Sequence, residues 1–256
     1  MQKETDKFNN SDIMEGMPSI SALIKAIEGG NNDRTINCIY VDKSKQKSKS
    51  REIAFLSHKA KTLDFGIELV DGAAIDEVCV GNTHGGIIAF CSQRTIPQLS
   101  SEHIKPSGVY YMLDGVEDPY NFGYAIRSLY ASGADGIILS PRNWMGAAGV
   151  VARSSAGTSE LINMYVSEPT LAVELFKKAG YSVVCAGIRN SVSLFDSNLK
   201  KPLFVIIGGE KRGISSKLLE LCDKIVRIDY GTEFNGSLST AAAAAVIAFE
   251  ILRTNK

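Results

Sequence analysis

Hydrophobic and polar positions in this chain follow two different spacings. Over residues 19–28 the apolar side chains recur every three or four positions, which predicts an amphipathic helix that ends at Gly29 and Gly30. Short continuous apolar runs predict strands that are buried on both faces. In the first part of the chain these runs are 36–41, 65–70 and 85–91, with further helices predicted over 51–62 and 75–80.

The second part of the chain repeats this alternation over a longer stretch. Apolar runs predict strands at 109–113, 136–139, 181–186, 203–207 and 225–228. Helical spacing lies between and after them, at 122–132, 146–155, 171–178, 215–221 and 240–253. Strands that alternate with helices form a mostly parallel sheet with helices on both faces, so the sequence predicts the α/β class.

Composition divides the chain into four parts. Residues 1–17 are polar and are predicted to be a flexible tail. A small α/β domain is predicted over 18–96, and a larger one over 108–256. A polar linker with Pro97 and Pro106 is predicted to join them over 97–107.

Charge is balanced overall but not locally. The 256 residues have a formal net charge of zero, with 45% hydrophobic and 22% charged residues, which is typical of a globular protein and gives no overall sign of a nucleic-acid partner. Basic residues cluster between 43 and 61, where Glu52 is the only acid. This basic segment either attracts phosphate or is a solvated surface, and the sequence leaves both open. Its first members are Lys43, Lys45, Lys47, Lys49 and Arg51.

The five cysteines are far apart and form no CxxC or Cys/His cluster. We therefore predict reduced core cysteines, no disulfide and no metal site. The longest apolar run, 241–249, is too short to cross a bilayer, and the N-terminus has no signal pattern. These observations favour a cytoplasmic protein without a membrane partner.

The first of three motifs covers residues 114–127 and joins a strand end to a helix. Asn121 is predicted to cap that helix. Gly123 lies one turn before Arg127 on the same helix face, which leaves space for a substrate or a partner backbone beside the guanidinium. The alternative is a capped surface helix with a solvated arginine.

The second motif, 203–213, is a buried strand followed by Gly208, Gly209 and Glu210. Glycines at the carboxyl end of a parallel strand can expose backbone groups to a ligand, or can simply form a tight turn. The third motif, 235–243, contains Ser237 and a second serine, Ser239, which is predicted to cap an alanine-rich helix. No dinucleotide fingerprint or phosphate-loop lysine is present.

The order and spacing of these motifs resemble the SpoU (TrmH) family of RNA ribose 2′-O-methyltransferases. Every fixed position of the family pattern Asp-x-x-x-Asp-Pro-x-Asn-x-Gly-x-x-x-Arg is matched within 114–127. The Gly-Glu-x-x-Gly core is matched at 209–213, and 150–157 is similar to the family's Ser-Ala-Gly stretch. The family's Ser-Leu-Asn is Ser-Leu-Ser here, with Ser239 in place of asparagine. The stretch 83–89, which contains His84, resembles part of a ribosomal-protein-like RNA-binding domain.

The resemblance implies a deep trefoil knot in the second domain, S-adenosylmethionine as the cofactor, and a homodimer acting on RNA, with ribosomal RNA favoured over transfer RNA. It implies a polar catalytic set of Asn121, Arg127, Glu210, Ser237 and Ser239. It implies that the cofactor is bound by Gly208, Gly209, Glu210, Ile228, Ser237 and Leu238. The expected RNA contacts are the five basic residues above, His84 and Arg127.

Two other functions remain open at this point. One is a protein of the same fold that binds RNA or assists ribosome assembly without methyl transfer, which the serine at position 239 would permit. The other is an unrelated nucleotide-binding oxidoreductase, which the missing dinucleotide fingerprint disfavours. For Arg127 we expect a bidentate grip on phosphate and no role as a base, because arginine keeps its proton.

Overall fold

The computed structural model describes residues 12–81, 83–141, 147–210 and 213–256. The strands are β1 (Asp12–Glu15), β2 (Ile36–Asp42), β3 (Gly66–Val70), β4 (Ile87–Cys91), β5 (Val109–Asp114), β6 (Gly136–Leu139), β7 (Met164–Val166), β8 (Ser182–Ala186), β9 (Val192–Ser193), β10 (Leu203–Gly208) and β11 (Lys224–Arg227). The helices are α1 (Gly16–Glu28), α2 (Ser50–Leu63), α3 (Gly72–Asp76), α4 (Pro119–Ala131), α5 (Ala148–Ser154), α6 (Thr158–Leu161), α7 (Pro169–Lys178), α8 (Ser216–Leu221) and α9 (Thr240–Thr254).

The chain forms two compact units, each with its own sheet. In the first unit four strands have the order β1-β4-β2-β3. β4 pairs antiparallel with β1 and β2, while β2 pairs parallel with β3. Every residue of β4 is buried, as its continuous apolar sequence predicts. The core between this sheet and its helices includes Met14, Leu23, Ile39 and Leu56.

The first unit begins earlier than the apolar pattern indicated. β1 and the first two residues of α1 lie in the segment that was predicted to be a flexible tail, whose residues 1–11 are outside the described part of the chain. Met14 is fully buried and Glu15 is nearly so. A strand with two apolar residues is too short to show a period, and its stability comes from the backbone pairing with β4.

Helices α5 and α6 also belong to the first unit, although the sequence placed them beside the second. They pack against β1 and α1. Gly157 has φ 82°, and a Cβ atom built on it would lie 2.4 Å from the Cβ of Ala22. Backbone at this distance from α1 requires glycine, which gives the family's Ser-Ala-Gly stretch a packing role here.

Buried charges hold α6 in place. Arg34 Nε donates to Glu160 Oε2 at 2.9 Å, and Arg34 also pairs with Asp12. Asn32 Nδ2 donates to the same Glu160 oxygen at 2.7 Å. Burial opposes the charge on Arg34, but the attraction of Glu160 and Asp12 outweighs it and raises the pKa of Arg34. A second pair, Arg153 NH1 to Glu15 Oε2 at 2.8 Å, ties α5 to the end of β1.

The second unit contains a seven-stranded sheet with the order β7-β6-β5-β10-β8-β11-β9. All of its neighbouring strands run parallel, which confirms the predicted α/β class. On one face of the sheet Phe176 of α7 packs against Tyr110 of β5 and Phe204 of β10. Helices α4 and α9 pack on each other, and α9 contacts β10.

The residues predicted to form a linker are ordered within the second unit. Val166 at the end of β7 donates its N–H to Pro97 O at 2.9 Å and accepts from Leu99 N at 2.8 Å. The short strands β7 and β9 had no apolar pattern long enough to predict them. Within the described ranges, no helix has the length and apolar character needed to cross a bilayer.

The prediction that all five cysteines are reduced is wrong for one pair. Cys185 in β8 and Cys222 form a disulfide, with their Cα atoms 6.2 Å apart. They are separated by 37 positions in the sequence, but β8 and β11 are neighbours and Ile225 lies opposite Cys185. The sheet order therefore brings the two sulfurs together. In the described structure Cys38, Cys79 and Cys91 form no disulfide.

We expect the buried charge network of the first unit to be essential for its stability. Arg34→Met should lower the free energy of unfolding by about 3–5 kcal/mol, because it leaves two buried carboxylates without their cation. Denaturant unfolding followed by circular dichroism measures this. Arg253→Met removes an exposed arginine that is also paired with a carboxylate and should leave unfolding nearly unchanged. Equal effects of the two substitutions would contradict the prediction.

Candidate functional site

The loop after β10 is packed directly against the loop after β5. Gly209 N donates to Asp114 O at 2.6 Å, and Gly213 N donates to Gly209 O at 3.1 Å. A Cβ atom built on Gly209 would lie 2.2 Å from Gly115 O, which real structures do not allow. A Cβ on Gly208 would lie 2.8 Å from the backbone of Gly213. These glycines are thus required by neighbouring backbone, which is the tight-turn alternative that the sequence left open, and their access to a ligand stays a prediction.

The carboxylate of Glu210 is the point at which the three motifs meet. Asn121 Nδ2 donates to Glu210 Oε1 at 2.9 Å. The backbone N–H of Thr240, the first residue of α9, points to the same oxygen at 3.4 Å. Thr240 Oγ1 in turn donates to Gly208 O at 3.2 Å. The ends of β5 and β10 and the start of α9 are therefore joined by hydrogen bonds around one acidic group.

Asn121 reaches Glu210 because it is not the helix cap. The prediction that Asn121 caps α4 is wrong: the cap is Asp118, which accepts from Tyr120 N and Asn121 N, with Pro119 at the first helical position. Proline at that position is favoured because the helix does not use its N–H. The Asn121 amide is thus in the first turn and is free to bind a side chain from another loop.

A cavity of about 690 Å³ opens beside this network. Its walls come from the ends of β8, β10 and β11 and from the start of α9. All the residues predicted to bind the cofactor line it: Gly208, Gly209, Glu210, Ile228, Ser237 and Leu238. A smaller cavity of about 90 Å³ is lined by Asn121 and the loop after β5. Glu210 and Thr240 line both cavities.

The two serines of the third motif have different environments. Ser237 is exposed and lines the larger cavity. Ser239 is the cap of α9, and its hydroxyl accepts from Ala242 N at 3.3 Å. The prediction of a serine cap for this helix is confirmed. Serine and asparagine are about equally good caps, so the departure from the family pattern keeps the local structure.

Arg127 lies apart from this network. Its side chain is exposed on α4 and lines neither of the two cavities. Within the described ranges no hydrogen bond or ion pair to the guanidinium is found. One copy of the chain therefore brings Asn121, Glu210 and Ser237 together but leaves Arg127 on a free helix face.

The basic segment is only partly available to a ligand. Acids pair with four of its lysines: Lys43 with Asp71 at 3.6 Å, Lys45 with Asp42 at 3.9 Å, Lys49 with Glu52 at 2.9 Å, and Lys59 with Glu28 at 2.6 Å. Lys47 and Arg51 are exposed, and the described structure gives neither an ion-pair partner. The sequence did not predict that Asp71 would lie beside this segment.

His84 has a structural environment. Its ring is buried, and Nδ1 accepts from Gly86 N at 3.1 Å. Nε2 therefore carries the proton and faces Asp76 Oδ1 at 3.0 Å. Both nitrogens are used to hold the turn that precedes β4. The predicted RNA contact of His84 stays a prediction.

Sequence reasoning missed several residues of the larger cavity. Arg189 follows β8, while Tyr230 and Phe234 follow β11, and all three line the cavity. Their position directly after predicted strands could have identified them, because loops at the carboxyl ends of parallel strands form the ligand site. Among the described residues no group of three or more His, Cys, Asp or Glu side chains could hold a metal ion.

Comparison with known proteins identifies the family. The sequence profile of the SpoU rRNA Methylase family matches residues 108–249, and that of the RNA 2′-O ribose methyltransferase substrate-binding domain matches residues 14–97. The chain belongs to the SpoU rRNA methylase family. The first match covers the second sheet and its cavity, and the second covers the first sheet.

Two relatives match this chain over nearly their whole length. A protein assigned to the TrmH family of tRNA/rRNA methyltransferases in Staphylococcus saprophyticus is 30% identical over 91% of this chain and 92% of its own. A 23S rRNA (guanosine-2′-O-)-methyltransferase of a Burkholderia species is 26% identical over 94% and 96% of the two chains.

Solved structures have the same fold. An RNA 2′-O ribose methyltransferase superposes with a TM-score of 0.79 at 19% identity, over 99% of this chain and 92% of that one. The SpoU methyltransferase AviRb of Streptomyces viridochromogenes, solved with its cofactor AdoMet, superposes with a TM-score of 0.75 at 21% identity, over 96% and 90%. These likenesses establish the arrangement of strands and helices.

The contact between the loops after β5 and β10 should tolerate no side chain at position 209. Gly209→Ala should lower the free energy of unfolding by about 1–3 kcal/mol, because its methyl group overlaps Gly115 O. Thermal unfolding followed by circular dichroism compares the stability of this variant with that of the unaltered protein. Gly231→Ala is the matched control, since a Cβ atom there meets nothing within 4 Å. An alanine at position 209 that is as stable as the control would show that the close contact is not required.

Proposed function

We propose that this protein transfers a methyl group from S-adenosylmethionine to a ribose 2′-hydroxyl in RNA, with ribosomal RNA as the substrate. The observation that carries the proposal is the hydrogen bond between Asn121 and Glu210 at the edge of the cavity that Ser237 also lines. Relatives over the full chain that are named as 23S rRNA guanosine-2′-O-methyltransferases support it. Transfer RNA is the second substrate class that the family allows.

The larger cavity fits the proposed cofactor. Its volume lies within the range of small-molecule sites, about 300–1,000 Å³. Ile228 and Leu238 provide apolar walls for flat rings, and Ser237 provides a hydroxyl group. The Glu210 carboxylate provides a negative charge that suits a cationic sulfonium. When bound, S-adenosylmethionine supplies an activated methyl group on that sulfonium.

The protein's own residues align the nucleophile. Because Glu210 accepts from the Asn121 amide and from Thr240 N, the carboxylate and the amide hold each other in one orientation. The Asn121 amide oxygen can then accept a hydrogen bond from the ribose hydroxyl. Arg127 would grip the adjacent phosphate with two parallel hydrogen bonds, and the hydroxyl proton would leave to a phosphate oxygen or to water.

A homodimer would explain the position of Arg127. Its helix exposes Tyr120 and Tyr124, and the neighbouring α9 exposes Phe249. Large exposed apolar groups on two helices that pack together are typical of an interaction surface. We propose that a second copy of the chain covers this surface and that Arg127 serves a site completed by both copies. A protein that modifies ribosomal RNA would act in the cytoplasm.

The alternative of a non-catalytic RNA-binding protein depended on Ser239. The structure gives that hydroxyl a capping role that asparagine would also fill, so the substitution favours neither function strongly. A protein that binds the cofactor but transfers no methyl group to RNA would support the non-catalytic alternative.

The full-length protein should incorporate methyl groups from S-adenosylmethionine into ribosomal RNA at ribose 2′-oxygens. Arg127→Lys should lower the rate at least about tenfold, since a bidentate charge-assisted contact is worth about 1.5–3 kcal/mol. Its cofactor affinity, measured by calorimetry, should stay unchanged. Ribose-methylation mapping of RNA from cells with and without the gene locates the target. Near-normal turnover of the lysine variant would refute the role of Arg127, and no methyl transfer by the unaltered protein would refute the function.

The basic segment should add affinity for RNA that does not depend on sequence. Replacing Lys45, Lys47 and Lys49 with glutamine should weaken RNA binding. It should also make the slope of log affinity against log salt concentration less steep, by about 0.7–0.9 for each phosphate that no longer has a cationic partner. Two of these lysines are paired with acids, so we expect the reduction to correspond to fewer than three phosphates.

The control for this experiment is an equal change of charge on the second unit. Lys177, Lys178 and Lys217 are replaced with glutamine, and this set also contains a paired lysine. Filter binding over a series of salt concentrations gives both slopes. If the two triple variants have the same affinity and slope, the basic segment does not bind RNA.

A further inference from the structure

Two aromatic side chains at the edge of the larger cavity are exposed to solvent. Tyr230 is 40% exposed and Phe234 is 53% exposed, and both line the cavity. Their rings form an edge-to-face pair with centroids 5.6 Å apart and an interplanar angle of 65°. Phenylalanine at this exposure costs solvation free energy unless a partner covers it.

Both rings are held in place by the backbone of the third motif. The Tyr230 hydroxyl accepts from Leu238 N at 3.3 Å. A Cβ atom built on Gly236 would lie 2.6 Å from the Phe234 ring, so the ring lies directly on the glycine backbone. Contacts with the backbone of residues 236 and 238 thus orient the two rings at the cavity.

A cation lies at the same edge. Arg189, in the loop after β8, is exposed and lines the cavity. In the part of the chain that the structure describes, its guanidinium has no hydrogen bond or ion pair. Arg227 also lines the cavity, but Asp229 Oδ1 at 2.7 Å and Ser191 O at 2.7 Å occupy its donors. Arg189 is thus available for an anion.

We propose that Arg189, Tyr230 and Phe234 form a nucleotide-binding rim that holds one unpaired nucleotide of the substrate RNA. This inference rests on the proposed function and deepens it. Proteins that bind single-stranded RNA stack bases on aromatic side chains and bind the phosphate with arginine. The rim has both groups at the opening of the cavity where methyl transfer is proposed. Its three residues are exposed, whereas Gly208 and Ile228, which are assigned to the cofactor, are half-buried.

The rim makes the enzyme selective for flexible RNA. A base inside a duplex cannot stack on a protein ring until it leaves the helix. The rim therefore binds a nucleotide in a loop, a bulge or an open junction. Binding at the rim brings the neighbouring ribose toward Asn121 and Glu210, so the rim residues act as positioning residues.

Two binding measurements on the full-length protein test the rim. The first is the fluorescence anisotropy of a labelled single-stranded RNA of about seven nucleotides, which spans a typical single-stranded site. The second is calorimetry with S-adenosylmethionine alone. Phe234→Leu should weaken RNA binding about tenfold and leave cofactor affinity within about twofold. Phe234→Trp should restore RNA binding, because it keeps an aromatic face.

Arg189 is tested through salt dependence. Arg189→Gln should reduce the slope of log affinity against log salt by about 0.7, the value for one phosphate contact with a single strand. Arg189→Lys keeps the charge and should retain most of that slope. The matched controls are Phe195→Leu and Arg253→Gln. Phe195 is 51% exposed but is not part of the cavity lining, and Arg253 is exposed on α9.

Three outcomes would overturn the proposal that the rim binds a nucleotide. The first is RNA affinity that changes no more in Phe234→Leu than in Phe195→Leu. The second is a loss of cofactor affinity as large as the loss of RNA affinity, which would assign the rings to the cofactor. The third is a full-length protein that does not bind the short RNA at low salt. RNA binding does not require methyl transfer. If the rim variants behave as expected but the protein transfers no methyl group, only the proposed function is refuted.

Discussion

The site depends on one carboxylate. Glu210 follows the central strand β10, and its oxygen accepts from the Asn121 amide and faces the first N–H of α9. The two donors lie in the first turns of α4 and α9, so the carboxylate joins these two helix starts to the loop after β10. An acid at the start of a helix is also favoured by the helix dipole, which partly offsets the cost of placing charge there.

Parallel pairing explains why these loops are neighbours. β5 and β10 pair in register from Val109 opposite Leu203 to Asp114 opposite Gly208. The two strands therefore end at the same level, and the loops after them must share a small space. Glycine at position 209 allows its backbone to approach the backbone of Gly115, and the side chains that follow can meet at one edge of the sheet.

The two units use charge in different ways. In the first unit the Arg34–Glu160 pair is buried and holds α6 against the sheet. In the second unit the charged groups of the cavity are exposed, and Arg189 and Glu210 are available for ligands. Buried charges need partners within the protein, whereas exposed charges at a cavity can find them in a substrate. This contrast separates structural from functional arginines more clearly than sequence position does.

The sequence by itself determined the α/β class, the position of most strands and helices, and six of the residues that line the larger cavity. These properties are local, because a buried strand needs a continuous apolar run and a glycine-rich strand end repeats in every parallel-sheet site. Only the tertiary structure decided the strand order, the pairing of Cys185 with Cys222, and the packing of α5 and α6 on the first unit. It also decided that Asn121 binds Glu210 and does not cap its own helix. These contacts join residues that are distant in the chain, and a pattern of neighbours along the sequence carries no information about which distant partner a side chain meets.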